Sequence, residues 1–238
     1  MRKKDEEVNY INLLRFFIPL AVMPMMISMT HTIINASLAR LPLPEMSIAI
    51  FTVVKSITNI ANAPTIMGRQ IMVSLVDSKD NYQRVKKFVW TMAFFLFSII
   101  LLFGLTPLGN FLLKDMIGIK NPKEIALAKT ALIVTSFLPI VVLFRNIYQG
   151  MATALKRTKI VVPGVLLRLI IISGFLWWVV STEIMTGVMA GSIAWIVGIA
   201  IEGSFIFGFI VYYYHSPLKA AEKMPDHSQG NLNFIKIF

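Results

Sequence analysis

Charged side chains occur inside long apolar runs of this sequence, where each one needs a counter-charge or a polar cavity. They are Lys55, Arg145, Arg168 and Glu202. A charge at the centre of a bilayer costs about 2.5 to 3.5 kcal/mol on insertion scales and usually marks a functional site. Ammonium and guanidinium groups facing a poorly solvated cavity attract phosphates and carboxylates, and arginine can bind either through two hydrogen bonds. Lys55, Arg145 and Arg168 are therefore candidates for an anion-binding site.

Two asparagines, Asn59 and Asn62, follow Lys55 at helical spacing and give one helix a polar face. We expect this face to point away from lipid, so both amides are candidates for lining the same cavity. Hydrogen bonding between helices is the alternative interpretation of the two amides. Arg145 and Arg168 also have an alternative role, because each lies near one end of its helix and could extend into the lipid headgroups.

Glu202 is the only acid deep within an apolar run. An intramembrane carboxylate either pairs with a cation or takes part in proton transfer. Glu202 is therefore predicted to be a coupling residue or a structural ion-pair partner of Lys55 or Arg168. His31 lies near the outer end of the first run, where a pH-sensing role and a plain interfacial position are both open.

Enzymatic, metal and cofactor sites have no recognisable pattern in the sequence. Cysteine is absent, and there is no HExxH motif, glycine-rich phosphate loop or nucleophile elbow. The fourteen methionines are interpreted as packing residues, because no histidine cluster accompanies them. We predict no catalytic residues, no metal and no cofactor.

The composition indicates an integral membrane protein. Of the 238 residues, 56% are hydrophobic and 15% are charged, whereas charged residues make up about a quarter of a typical soluble domain. A net charge of +11 could suggest nucleic-acid binding, but the cations lie in short loops between apolar runs. We expect the lipid bilayer as a partner and no nucleic acid.

Six apolar runs are long enough to cross a bilayer, which requires about 20 residues. They span 11–35, 46–76, 88–113, 124–154, 161–181 and 186–214. The first run follows a basic start, as in a signal peptide. It is too long for one and contains Pro19 and Pro24, so we predict a retained first helix.

The positions of lysine and arginine predict the orientation of these helices. One set of alternate loops holds twelve cations: Arg2, Lys3, Lys4, Lys79, Arg84, Lys86, Lys87, Lys156, Arg157, Lys159, Lys219 and Lys223. The other set holds four: Arg40, Lys114, Lys120 and Lys123. Because lysine and arginine are retained on the cytoplasmic side, the asymmetry places both termini in the cytoplasm.

The chain divides into three parts in this interpretation. Residues 1–214 form a six-helix transmembrane lobe, and 215–231 form a cytoplasmic linker with a short helix after Ser216. The last residues, 232–238, read LNFIKIF and match INLLRFF at 11–17. That match predicts the start of a second repeat, as in transporters built from tandem bundles.

Several segments resemble the progressive ankylosis protein family, a branch related to the MATE exporters within the multidrug, oligosaccharidyl-lipid and polysaccharide flippase superfamily. They read NLLRFFIPL at 12–20, VDSKDNYQRVKKF at 76–88 and RNIYQGMATALKRTKIVVPGVLLRLIII at 145–172, followed by Glu202. The resemblance covers nearly the whole chain and is most specific at 144–169. It implies one lobe of a twelve-helix transporter with both termini in the cytoplasm, which works by alternating access and holds its substrate between two lobes.

The resemblance also implies a function. Progressive ankylosis members are associated with export of pyrophosphate and organic anions, so we expect a cell-membrane exporter of small anionic solutes. Its expected partners are a small-molecule substrate and a second six-helix lobe, on the same gene product or on a partner chain. A cation-coupled exporter of organic cations is an alternative, although the first run lacks the acidic residues used by MATE members. A half-transporter that serves only as an interaction subunit is another.

Overall fold

The computed structural model of the chain describes residues 25–26, 28–76, 78–155 and 157–224. Every regular element within these ranges is helical. Five helical segments among them are long and apolar enough to cross a membrane: Pro44–Leu75, Lys79–Leu105, Pro122–Ala154, Thr158–Thr182 and Gly187–Tyr214. The described part is therefore that of an all-α, multi-pass membrane protein.

These segments are built from shorter helices, which we number in chain order. The helices are α1 (28–38), α2 (Pro44–Asn62), α3 (Met67–Leu75), α4 (Lys79–Leu105), α5 (Pro107–Asn110), α6 (Pro122–Thr135), α7 (Leu138–Ala154), α8 (Val161–Thr182), α9 (Gly187–Tyr214) and α10 (Pro217–Ala221). Short 3-10 turns at Ala63–Ile66 and Thr158–Ile160 connect α2 to α3 and precede α8. A π-helical turn at Phe111–Met116 follows α5.

The last two predicted spans agree closely with α8 and α9, but the predicted span 88–113 is wrong at both ends. Helix α4 begins at Lys79, because the Ser78 side chain accepts a hydrogen bond from the backbone N–H of Asn81 at 3.3 Å and caps the helix. Its first turns are therefore charged rather than apolar. The helix ends at Leu105 because Thr106 precedes Pro107, and a residue before proline disfavours the helical conformation.

Two predicted spans are interrupted by proline. The run 124–154 is divided at Ser136–Phe137, just before Pro139, into α6 and α7. The run 46–76 changes to a 3-10 turn at Pro64 before it continues as α3. Proline lacks an N–H group and removes a backbone hydrogen bond, which leaves carbonyl groups at membrane depth for other partners.

Some predictions fall on residues outside the described ranges. The first predicted span is described only from residue 25 onward, and within it residues 28–35 are helical. The match between 232–238 and 11–17 lies wholly outside, so the second repeat stays a prediction. The cap at the start of the linker is present, since the Ser216 side chain accepts from the backbone N–H of Lys219 at 3.2 Å.

Helix α9 lies at the centre of the bundle, where it packs against α2, α6, α7 and α8. Four of its glycines, Gly187, Gly191, Gly198 and Gly203, allow close approach, because each one faces a side chain of a neighbouring helix. Gly191 lies against Phe51, and Gly198 lies against Ile172 of α8. Small residues let membrane helices approach in this way. The close packing fixes Glu202 of α9 against the helices that carry the arginines.

The cation-rich segments gather at one end of the bundle. Helix α10 packs against both α4 and α9, and an apolar cluster joins Tyr82, Ile160 and Ala221 there. Arg157 lies over the ring of Tyr213 at 5.6 Å from its centroid. The starts of α4, α8 and α10 therefore share one end of the bundle.

Because the chain has no native cysteine, single introduced cysteines can report its orientation. Glu222 and Ile184 are both exposed, one at the cation-rich end and the other in the loop between α8 and α9. In intact cells, a membrane-impermeant maleimide should label Ile184→Cys and should label Glu222→Cys only after permeabilisation. Unmodified protein is the blank control, and the opposite labelling pattern would contradict the predicted orientation.

Two glycines of α9 provide a matched test of the close packing. A methyl group at Gly198 would meet the Ile172 side chain and lie 2.9 Å from Arg168 Cγ, whereas nothing lies within 4 Å of one at Gly208. Gly198→Ala should lower stability by roughly 1 to 3 kcal/mol because of overpacking. Gly208→Ala should be neutral or stabilising by up to about 1 kcal/mol. Thermal unfolding in detergent measures both, and equal effects would contradict the packing.

Candidate functional site

A cavity of about 340 Å³ lies among α1, the end of α2, α7, α8 and α9. Its polar lining comprises Thr30, His31, Asn59, Asn62, Thr65, Arg145 and Arg168. Val142, Trp195 and Ile199 form an apolar wall. Asn59, Ala63 and Ile66 are exposed and mark the mouth of the cavity. The cavity therefore combines two arginines with a largely apolar surround, among helices that are long and apolar enough to cross a membrane.

Arg168 is held by an ion pair and a hydrogen bond on its two terminal nitrogens. Its Nη1 lies 2.8 Å from Oε2 of Glu202, and its Nη2 donates to Oγ1 of Thr30 at 2.7 Å. The side chains of Arg168 and Glu202 are only 3% and 1% exposed. Arg168 therefore does not extend into the headgroups, and the ion pair ties α8 to α9 and α1.

Arg145 is held less firmly than Arg168. Its Nη1 lies 3.7 Å from the same Oε2 of Glu202, and its side chain is 17% exposed. Its Nη2 and Nε donate to Oδ1 of Asn146 at 3.1 and 3.4 Å. Asn146 is itself fixed, since its Nδ2 donates to the carbonyl of Thr65 at 2.7 Å. The proline-interrupted turn after α2 thus supplies a backbone acceptor that supports the arginine.

The site carries more positive than negative charge. Arg145 and Arg168 share one carboxylate, Glu202, which is the only buried acid among the described residues. A further arginine, Arg69 of α3, is half-buried and donates to Oγ1 of Thr153 at 3.4 Å. Positive charge in a poorly solvated cavity attracts anions more strongly than the same charge in water.

Three polar atoms of the lining are buried without a hydrogen-bond partner among the described residues. They are Nε of Arg168, Oδ1 of Asn62 and Nδ1 of His31. A buried polar group without a partner costs free energy, and such groups in native proteins usually bind water or a ligand. All three atoms belong to residues that line the same cavity.

The structure brings together four of the five residues predicted for substrate binding. Asn59, Asn62, Arg145 and Arg168 all line the cavity. Lys55 is not among the lining residues, although it lies one helical turn before Asn59, roughly 6 Å along the helix axis. Lys55 is half-buried, and among the described residues it has no hydrogen bond or ion pair.

Other lining residues were not predicted from the sequence. Thr30 and Thr65 belong to the site through contacts with Arg168 and Asn146. Trp195 packs edge-on against His31, with ring centroids 5.5 Å apart. Pro64 beside Thr65 is the one local signal that could have indicated an irregular turn with free backbone groups. His31 lines the cavity, which neither of its predicted roles included.

Comparison of the chain with protein-family models, with curated proteins and with solved structures finds no match.

Removal of one partner from the buried ion pair should be costly. Arg168→Met would leave the Glu202 carboxylate with Arg145 alone, at 3.7 Å, and should lower stability by roughly 3 to 5 kcal/mol. The double variant Arg168→Met with Glu202→Met should recover part of that loss, because the buried carboxylate is removed together with its closest partner and Arg145, at 17% exposure, is the less buried of the two cations. Arg84→Met, at an exposed position, is the matched control. A melting temperature of Arg168→Met equal to that of the control would contradict the pairing.

Proposed function

We propose that this chain is one lobe of a secondary exporter that moves small anions out of the cell by alternating access. The observation that carries the proposal is the membrane-depth cavity in which Arg145 and Arg168 share the single carboxylate of Glu202. Buried cations in excess of acids are expensive to keep in a bilayer. An anionic substrate that passes through the cavity gives them a function.

The size and chemistry of the cavity favour a small substrate. A volume of about 340 Å³ lies at the lower end of the range for ligand pockets, which is about 300 to 1,000 Å³. Guanidinium groups bind phosphate and carboxylate oxygens through paired hydrogen bonds. Together with the resemblance to the progressive ankylosis family, this favours pyrophosphate or organic anions such as citrate.

The outer surface around the cavity mouth favours a second lobe. Ser28 and Thr32 of α1 and Thr52, Ser56 and Asn59 of α2 are exposed polar residues at membrane depth. The hydroxyls of Thr32 and Ser56 are satisfied within their own helices. The Asn59 amide and the Lys55 ammonium are not hydrogen-bonded to any described residue, so contact with lipid would be unfavourable.

In the proposal, a second six-helix bundle covers this polar face and closes the cavity. The lobe itself then has six spans, with residues 11–35 completing the first. The protein lies in the cell membrane with the cation-rich end of the bundle facing the cytoplasm. The second bundle belongs to the same gene product or to a partner chain.

Export of organic cations is the weaker alternative. A cation exporter needs a carboxylate that its substrate or coupling ion can reach. Glu202 lies within 4 Å of two arginines, at 2.8 and 3.7 Å, and its side chain is 1% exposed. Both partners would have to leave before a cation could bind there.

Transport by the full-length protein in lipid vesicles tests the proposal. Arg145→Ala should lower the uptake of labelled pyrophosphate or citrate by about tenfold or more, because a hydrogen bond to a charged group contributes about 1.5 to 3 kcal/mol. Arg145→Lys should retain part of the activity, since it keeps the charge but loses the paired geometry. Arg84→Ala, an exposed arginine at the cation-rich end, should have no effect.

Uptake that does not change in Arg145→Ala, or the absence of uptake for both anions, would contradict the proposed function. Ethidium efflux driven by a proton or sodium gradient would instead support the cation exporter. Transport of neither class would support an interaction subunit.

A further inference from the structure

The two arginines differ in how they hold Glu202, and this difference assigns them separate roles. We propose that Glu202 competes with the substrate anion for the guanidinium of Arg145. A bound anion displaces Arg145 from Glu202, while the ion pair with Arg168 keeps Glu202 in place. This inference rests on the proposed function and specifies how anion affinity is regulated at the same site. Glu202 acts as a positioning residue that does not itself bind the anion.

The contact distances identify the arginine that can be released. Both guanidinium groups contact the same oxygen, Oε2 of Glu202. The Nη1 of Arg168 lies 2.8 Å from it, and the Nη1 of Arg145 lies 3.7 Å from it. Arg168 is also bonded to Thr30 at 2.7 Å. The other partner of Arg145 is the neutral amide oxygen of Asn146, at 3.1 Å. Release of Arg145 thus breaks only a long ionic contact, whereas release of Arg168 breaks a short one.

Burial leads to the same assignment. The Arg145 side chain is 17% exposed, against 3% for Arg168 and 1% for Glu202. Each terminal nitrogen of Arg168 already has one partner, Glu202 or Thr30. The more exposed guanidinium of Arg145 is therefore the one that an arriving anion meets first.

Competition of this kind weakens anion binding in two ways. The apparent affinity of a ligand falls with the fraction of protein in the competent state, which here requires Arg145 to be free of Glu202. The carboxylate also repels an anion placed next to it. Weaker binding has a use in transport, because a substrate held too tightly is not released. Glu202 thus lowers the affinity for the anion and speeds its release during transport.

Glu202→Gln separates this role from a purely structural one. The amide keeps an oxygen that accepts from Arg168 but removes the negative charge that attracts Arg145. The variant should bind pyrophosphate or citrate about tenfold more tightly, and in vesicles both KM and kcat for transport should fall. Its thermal stability should fall as well, because two buried cations lose their counter-charge. A purely structural Glu202 predicts that stability and affinity are lost together.

The measurement is calorimetric titration of the purified full-length protein in lipid nanodiscs with pyrophosphate and, separately, with citrate. Glu183→Gln is the matched control, since it makes the same chemical change at an exposed position and should leave affinity unchanged. If wild type binds an anion and Glu202→Gln binds it equally or more weakly, the inference is overturned and the proposed function stands. If wild type binds neither anion, the proposed function fails first.

A second variant covers the case in which Glu202→Gln does not fold. Glu202→Asp keeps the negative charge and withdraws the carboxylate by one methylene group. The longer contact, to Arg145, should be lost before the shorter one to Arg168. Glu202→Asp should therefore also bind the anion more tightly than wild type, by a smaller factor than Glu202→Gln. Affinity equal to or below that of wild type would overturn the inference.

Discussion

A carboxylate buried between two guanidinium groups holds the centre of this bundle together. Glu202 lies on α9, and its partners lie on α7 and α8, so one acid connects three helices. Thr30 extends the connection to α1 through Arg168. Loss of the acid would leave two cations in a poorly solvated interior, and loss of either cation would weaken the neutralisation of a buried anion. The remaining architecture keeps these groups close to one another.

The irregular turn after α2 supports the same group of ion-paired side chains. Proline interrupts the helical run after α2 and the run before α7, and the turn after α2 lines the cavity through Thr65 and Ile66. The carbonyl of Thr65 accepts a hydrogen bond from Asn146, which in turn accepts one from Arg145. Backbone outside regular helices is tolerated at membrane depth where it lines a cavity or is covered by protein. The glycines of α9 complement this arrangement by allowing close packing around Glu202.

Sequence reasoning could predict the helices whose limits are marked locally. The spans 161–181 and 186–214 are uniformly apolar with clear boundaries, and α8 and α9 match them closely. The start of α4 could not be found in this way, because its first turns are polar and do not stand out from a loop. The position of a proline in the sequence does not show which backbone carbonyl groups the break in the helix leaves for other partners.

The residues of the cavity were harder to predict from the sequence than the helices. Buried charge alone identified Arg145, Arg168 and Glu202, because such residues are rare in apolar runs. Spacing along one helix placed Lys55 with Asn59 and Asn62, but it could not show how far along the axis the cavity extends. The bond between Arg168 and Thr30 joins residues 138 positions apart, and no local pattern contains that information.

An experimental structure of the full-length protein in lipid with pyrophosphate tests the central claim most directly. The account predicts density for the anion within hydrogen-bond distance of the Arg145 guanidinium, with Glu202 still paired to Arg168. Anion density away from this cavity, or an Arg145 side chain that extends to lipid headgroups beside an unoccupied cavity, would contradict it.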